Sequence, residues 1–213
     1  TYNTETRIIR RKKNNLIVTN KHCFRKGVST TTQLVETIHD LALIMDKGGQ
    51  TDIIFLDLSK AFDCVSHPKL LQKLSHYFGD NIITKWIKSY LTGRRQYVHN
   101  KDHSSDYGYV LSGVPQGALL APMLFLLFIN DFHINCNATV RMFADDCIIY
   151  KQITCHEDQM ILNRALEHIT QWCQTWQMMP NADITVCMTV TKKKNAHELP
   201  LLFRTDVKES RTI

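Results

Sequence analysis

The sequence lacks paired cysteines, a pattern that would indicate a zinc-binding or disulfide-bonded protein. Its seven cysteines are odd in number and scattered, and no Cys-x-x-Cys pair occurs among them. This spacing indicates neither a zinc ribbon nor a disulfide framework. Reduced thiols are typical of intracellular proteins, so we expect an intracellular location.

Long hydrophobic runs are also lacking. The longest apolar stretch, residues 118–129, is well short of the roughly 20 residues that a membrane helix needs. The N-terminus is polar and basic, and no apolar segment follows it as one would in a signal peptide. We therefore predict no membrane partner. Because the sequence does not begin with Met, we also expect it to be a piece of a longer protein.

The chain has no excess of acidic residues. Its 26 Lys and Arg outnumber its 20 Asp and Glu, for a net charge of +6, and basic clusters occur at residues 10–13 and 192–194. That balance suits a polyanionic partner such as nucleic acid. A solvated surface with a few extra lysines would look the same, so charge alone leaves both interpretations open.

Hydrophobic periodicity and turn residues predict a mixed fold in a chain whose 213 residues suit one large domain or two small ones. The predicted helices are residues 30–46, 68–77, 82–91, 118–132 and 157–176. The predicted strands are residues 53–58, 95–99, 107–111, 139–143, 147–150 and 184–190. This order favours an α+β fold in which helices lie behind an antiparallel sheet.

Three carboxylates stand in apolar surroundings. Asp57 interrupts the predicted strand 53–58, and Asp145 with Asp146 separates the two strands of a predicted hairpin. Burying unpaired ions is costly, and neighbouring like charges add to the cost. If the hairpin lies beside the Asp57 strand, the carboxylates converge, and divalent cations such as Mg²⁺ would neutralise them. A polar turn is the alternative, because Asp is common in turns. We expect the nearby Asp63 to cap a helix or form a salt bridge rather than bind metal.

Three segments in order carry a family resemblance. Residues 55–63 (Phe-Leu-Asp-Leu-Ser-Lys-Ala-Phe-Asp) resemble the first palm motif of the reverse transcriptases of non-LTR, LINE-type retrotransposons. Residues 112–131, which begin Ser-Gly-Val-Pro-Gln-Gly, look like their second motif, and residues 143–146 (Phe-Ala-Asp-Asp) are similar to their metal-binding box. The resemblance is strongest to the jockey-like branch and extends over about residues 23–194.

The resemblance implies a fold and a division into parts. The fold is the right-hand polymerase palm, an antiparallel sheet backed by helices, with partial fingers. Residues 1–52 would be partial fingers, and residues 53–191 would be the palm, with an inserted fingers segment at about 79–111. Residues 192–213 would begin a thumb or a connector.

The same resemblance assigns site residues. It implies that Asp57, Asp145 and Asp146 are catalytic and hold two Mg²⁺ ions, with Mn²⁺ as an alternative ion and with the backbone carbonyl of Leu58 as a further ligand. The implied nucleotide pocket consists of Phe62, Pro115, Gln116, Gly117 and Ala144. Its alternatives are a core aromatic at Phe62 and an ordinary capping turn in the loop. A glycine such as Gly117 lets backbone approach a ligand closely, and a following helix N-terminus favours phosphate.

Contacts to nucleic acid are implied at four basic residues, Arg25, Lys26, Arg94 and Arg95, which are solvated charges in the alternative interpretation. Two departures from the family pattern stand out. No Arg-Pro-Ile-Ser segment is present, and Ile184 stands where the family has a lysine that protonates the departing pyrophosphate. Loss of a general acid typically lowers a rate about 10²–10⁴-fold.

The function implied is RNA-templated extension of a DNA 3′-end, with an RNA template, a DNA primer and dNTP as partners. The family's target-primed synthesis implies a nuclear location. The alternative is a retroelement relic that binds nucleic acid without polymerising, which the departures at Ile184 and in the fingers motivate. An intron-encoded maturase would need a further RNA-binding helical domain.

Overall fold

The centre of the protein is a five-stranded sheet, seen in a computed structural model that describes residues 29–134, 136–181 and 183–193 and the backbone of 208–212. In spatial order its strands are β6 (Thr139–Phe143), β7 (Asp146–Ile153), β1 (Gln50–Leu56), β8 (Val186–Thr191) and β9 (Lys208–Thr212). Neighbouring strands are antiparallel except for β8 and β9, which are parallel.

Six helices accompany the sheet in the described residues. They are α1 (Thr30–Asp46), α2 (Ala61–Cys64), α3 (His67–Phe78), α4 (Ile82–Leu91), α5 (Ala121–Phe128) and α6 (His156–Trp176). Four of the predicted helices agree with α1, α3, α4 and α6 to within one residue at each end. The predicted helix 118–132 is too long at both ends. Pro122 occupies the first turn of α5, where its missing N–H costs no hydrogen bond, and turns flank the helix.

β1 is central because both of its edges are paired, one with β7 and the other with β8. Six of its seven residues are buried, the polar residues at its start as well as the apolar Ile53, Ile54 and Leu56. Its polar residue Asp52 is fully buried and accepts hydrogen bonds from Gln50 Nε2 at 3.0 Å and Thr189 Oγ1 at 2.8 Å. The strand ends at Leu56, so Asp57 follows the strand rather than interrupting it.

The core lies between the sheet and the helices α3, α5 and α6. Its largest fully buried side chains include Phe125 and Phe128, which belong to the second motif, and Phe132, which directly follows it. The predicted α+β fold, with helices packed against a largely antiparallel sheet, is therefore confirmed.

The segment between α4 and the second motif contains four strands of two residues each. β2 (Arg95–Gln96) pairs with β5 (Gly108–Tyr109), and β3 (His99–Asn100) pairs with β4 (His103–Ser104). All eight residues are exposed, and the predicted five-residue strands 95–99 and 107–111 are wrong in length. Short exposed pairs have no apolar face to bury, so nothing extends their pairing.

Within the described ranges no helix combines the length and apolarity that a bilayer crossing requires.

Residues 208–212, for which the sequence predicted no strand, form β9 at the edge of the sheet.

Candidate active site

Three carboxylate residues lie together at one end of the two central strands. Asp57 directly follows β1, and Asp146 is the first residue of β7. Leu56 pairs with Cys147, and continuing that antiparallel register by one step places Asp57 opposite Asp146. Asp145 is in the turn between β6 and β7. The hairpin does lie beside β1, which was the condition for convergence of the three residues.

The ionisation of Asp146 reflects this proximity. Partial burial raises the pKa of Asp146 above its ordinary value, and the negative charges of Asp145 and Asp57 raise it further. Like charges disfavour the ionised form, so a cation bound here would stabilise the site.

The donor atoms of these residues fit a hard divalent cation, which prefers oxygen ligands. In the described part of the chain, however, no three His, Cys, Asp or Glu side chains are grouped closely enough to form a metal-binding cluster. The aspartates thus supply suitable ligand atoms, but their side chains have to move closer together to bind an ion. The side chain of Leu58, the fourth predicted ligand residue, is buried, and the residue forms a β-bridge with Pro180.

The loop between α6 and β8 holds the backbone around Asp57. The amide of Asn181 donates a hydrogen bond to the carbonyl of Asp57 at 2.9 Å, and the amide of Ser59 donates to the carbonyl of Met179 at 2.8 Å. Asn181 Nδ2 also approaches Asp57 Oδ2, at 3.4 Å. Asn181 lies three residues before Ile184, and the departure from the family pattern at Ile184 was the one sequence signal near this contact.

Ile184 belongs to the same loop. The amide and the hydroxyl of Thr185 both bond to the carbonyl of Asn181, at 3.1 and 2.7 Å, which folds the loop into a compact turn. The side chain of Ile184 is 54% exposed in that turn. The turn is therefore held against Asp57, but Ile184, which stands where the family has a lysine, cannot transfer a proton.

A cavity of about 700 Å³ opens beside Phe62 and the loop of the second motif. Phe62 is half-buried, and its ring stacks on that of Phe125 with centroids 4.2 Å apart. It is therefore a core aromatic and a cavity wall at once. Gln116 and Gly117 also line the cavity, whose volume falls in the range of roughly 300–1,000 Å³ that small-molecule sites occupy.

Two residues of the predicted pocket, Gly117 and Ala144, have left-handed backbone conformations. Gly117 has a φ of +81°, and no atom lies within 4 Å of where its Cβ would be, so a ligand has open access to its backbone. Ala144 has a φ of 53°, a left-handed conformation that costs a non-glycine residue about 1–2 kcal/mol. Pro115 and Ala144 lie outside the lining of the cavity.

The predicted nucleic-acid contacts are spread over the chain. The guanidinium of Arg94 lies 5.2 Å from the ring centroid of Tyr90, and that of Arg95 lies 5.4 Å from the ring centroid of Tyr107. Both arginines thus rest on aromatic rings in the segment before the second motif. Arg25 and Lys26 lie outside the described residues.

Sequence reasoning missed a buried ion pair behind the sheet. Lys73 of α3 is 3% exposed, and it donates hydrogen bonds to Asp131 and to the carbonyl of Phe128. Trp172 Nε1 donates to the same carboxylate at 2.8 Å. No local pattern marked this pair, because its two residues are 58 positions apart.

Comparison with known proteins agrees with the fold. The family described as "Reverse transcriptase (RNA-dependent DNA polymerase)" matches residues 3–200. The chain is 29% identical over 178 residues to "Probable RNA-directed DNA polymerase from transposon BS" of Drosophila melanogaster, covering 78% of this chain and 20% of that protein. It is also 29% identical over 178 residues to "RNA-directed DNA polymerase from mobile element jockey" of Drosophila funebris, covering 79% of this chain and 19% of that protein.

Solved structures share the fold. Apo telomerase from Candida tropicalis aligns with a TM-score of 0.61 at 12% identity, over 86% of this chain and 35% of that one. The chain spans about a fifth of the length of the retrotransposon relatives it matches. Because the family match extends over nearly the whole sequence, the chain belongs to the reverse transcriptase (RNA-dependent DNA polymerase) family.

Proposed function

We propose that this domain catalyses RNA-templated extension of a DNA 3′-end, with an RNA template, a DNA primer and dNTP as partners. The observation that carries the proposal is the placement of Asp57 opposite Asp146 at the end of two paired strands, with Asp145 in the adjoining turn. Phosphoryl transfer needs position and charge stabilisation above all, and a rigid strand end supplies the position.

Reverse transcriptases are generally metal-dependent, and we propose Mg²⁺ as the ion, with two ions bound and Mn²⁺ as an alternative. Asp57, Asp145, Asp146 and the carbonyl of Leu58 would hold them. Ions held by these residues would supply activation of the attacking 3′-oxygen and charge neutralisation for the departing pyrophosphate. The raised pKa of Asp146 supports the assignment, because a bound cation offsets the desolvation and the repulsion from Asp145 and Asp57 that raise it.

The remaining residues bind and orient the substrates. The cavity beside Phe62 would receive the nucleotide, with the ring of Phe62 under its sugar and with Gln116 and Gly117 along its wall. Arg94 and Arg95 would contact phosphates of the template or primer, because guanidinium groups track nucleic-acid backbones.

The division of the chain and its location belong to the same proposal. We assign residues 53–191 to the palm, residues 1–52 and about 79–111 to fingers, and residues 192–213 to the start of a thumb or connector. A nuclear location would follow if synthesis is primed by the DNA target.

Primer extension on poly(rA)/oligo(dT) with dTTP and Mg²⁺ tests the proposal. We expect incorporation by the wild type and its loss in Asp146→Asn, which removes one charged ligand without changing side-chain size. Asp80→Asn is the matched control, because Asp80 is an exposed aspartate whose one described ion pair is a long contact to Lys85. Activity that survives Asp146→Asn would exclude the proposed metal site.

A second candidate is a relic that binds nucleic acid without polymerising, and the observation that favours it is the apolar Ile184 in the turn held against Asp57. This candidate predicts salt-sensitive RNA binding without incorporation, even after Ile184→Lys. Incorporation that appears or increases in Ile184→Lys would favour the polymerase instead. Absence of RNA binding would contradict both candidates.

A further inference from the structure

Asp63 has a partner that the proposed chemistry does not use. The side-chain nitrogen of Gln116 donates a hydrogen bond to Asp63 Oδ1 at 2.8 Å, although the two residues are 53 positions apart. Asp63 makes no side-chain cap of α2, and no ion pair joins it to a described residue. Its sequence prediction as a cap or salt-bridge residue is therefore wrong for the described part of the chain.

The backbone fixes Asp63 relative to the loop that carries Gln116. Three hydrogen bonds join the two segments: Val114 N to Phe62 O at 2.8 Å, Gly113 N to Val65 O at 2.8 Å, and Ser112 Oγ to Asp63 O at 2.9 Å. A Cβ on Gly113 would lie 2.8 Å from the carbonyl oxygen of Asp63, so this close approach requires glycine. The carboxylate is thus held in place beside the loop.

The pairing determines which end of the amide meets a ligand. An ionised carboxylate only accepts hydrogen bonds, so the amide must turn its nitrogen toward Asp63. The oxygen of Gln116, with the second N–H of its amide, is then left for a ligand in the cavity that Gln116 lines. We propose that Asp63 is a positioning residue that fixes the orientation of the Gln116 amide, so that Gln116 offers a hydrogen-bond acceptor to the nucleotide.

This inference rests on the proposed function and adds a specificity to it. An acceptor oxygen recognises a donor, which in a nucleotide is a sugar hydroxyl or an N–H of the base. The triphosphate, which at neutral pH presents mainly acceptor oxygens, is not recognised by this group. Through this oxygen, Gln116 therefore discriminates nucleotides by their sugar or base rather than by their phosphates.

Asp63→Asn is the informative substitution, because it keeps the size of an exposed side chain but lets the new amide donate to the Gln116 oxygen. In primer extension we expect the KM for dTTP to rise about three- to tenfold with kcat little changed, the loss expected of one hydrogen bond. Gln116→Ala should produce a similar rise, and the double variant should add little to it, since the two residues act as one unit. Asp80→Asn should match the wild type.

Comparing dTTP with its 2′,3′-dideoxy analogue identifies the donor. A preference for dTTP that shrinks in Asp63→Asn assigns the donor to the sugar 3′-hydroxyl. A rise in KM that is equal for both nucleotides assigns it to the base. Unchanged KM values for both nucleotides in Asp63→Asn would overturn the inference.

A measurement that needs no catalysis separates this inference from the proposed function. In the ¹⁵N-labelled chain without substrates, the side-chain amide signal of Gln116 is identified by its loss in Gln116→Ala. We expect that signal to shift in Asp63→Ala and to remain unchanged in Asp80→Asn. A wild type without polymerase activity but with this shift would refute the proposed function alone, whereas an unshifted signal would refute the positioning role.

Discussion

Two regions of the molecule treat charge in opposite ways. Behind the sheet, Lys73 is buried, but it pairs with Asp131 and its Nζ lies 3.8 Å from the ring centroid of Trp176. At the strand ends, like charges stand together without any such partner among the described residues: Asp57, Asp145 and Asp146. The first region neutralises its charge internally, and the second leaves charge to be neutralised from outside.

The two regions should differ in whether they contribute to the stability of the protein or to its chemistry. A buried ion pair is costly to break, because removing one partner leaves the other charge poorly solvated. A cluster of like charges that repel one another opposes folding, and such clusters are typical of functional sites. Substitutions behind the sheet should therefore reduce stability, whereas substitutions at the strand ends should reduce activity.

The largest effect is expected at Asp57. Asp57→Asn should lower the rate of primer extension by at least about 10³-fold, since metal-assisted charge stabilisation contributes several kcal/mol to a barrier. The free energy of unfolding in urea should change by less than about 1 kcal/mol, because this aspartate is only half-buried. A large loss of stability with retained activity would reverse the comparison.

Lys73 should give the largest stability effect. Lys73→Met should lower the free energy of unfolding by about 3 kcal/mol, because Asp131 then loses its charged partner. Urea denaturation followed by tryptophan fluorescence measures this directly, since Trp172 and Trp176 surround the lysine. Adding Asp131→Asn to Lys73→Met should recover part of the loss. A double variant less stable than the single one would contradict the ion-pair explanation.

Divalent cations should stabilise the protein by binding at the strand-end site formed by Asp57, Asp145 and Asp146. Mg²⁺ at ten times its dissociation constant should raise the free energy of unfolding of the wild type by about 1.4 kcal/mol, and chelation should reverse the gain. The gain should be absent in Asp146→Asn and preserved in Asp80→Asn. An equal gain from NaCl at matched ionic strength would indicate general screening rather than binding.

The smallest effect concerns Asp146 without metal. Since burial and neighbouring charges raise the pKa of Asp146, its ionised form opposes folding at neutral pH. Asp146→Asn in chelator should therefore be more stable than the wild type, by no more than about 1 kcal/mol, because the residue is only partly buried and solvent screens its charge. The difference should be fully present above the folded-state pKa and vanish as pH falls below the unfolded-state pKa near 4. A difference that grows on acidification would contradict this sign.

The predicted and observed structures differ in instructive places. Helices with clear periodicity, such as α4 and α6, were located to within one residue, because that pattern is local. The orientation of α1 was not readable in the same way. Its buried residues are Gln33 and Thr37, while Leu34 and Val35 are more than half exposed. Ion pairs from Arg141 of β6 to Glu36 and Asp40 explain the polar contact face.

The motifs around the candidate site could be recognised in the sequence, but the contacts between them could not. The order and spacing of the motifs around Asp57, Asp145 and Asp146 identified the family and named the carboxylates. Their convergence required β7 to pair with β1, which is a long-range choice that local sequence does not encode.

The sequence by itself determined the helices with clear periodicity and the family, and it singled out the three carboxylates as candidates, because periodicity and motif order are properties of the chain read in one dimension. The tertiary structure decided what those residues touch. It set Asp57 opposite Asp146, paired Gln116 with Asp63 across 53 residues, and enclosed Lys73 among aromatic rings. Each of these contacts depends on strands and helices from distant parts of the chain packing around one core, and only the folded protein brings them together.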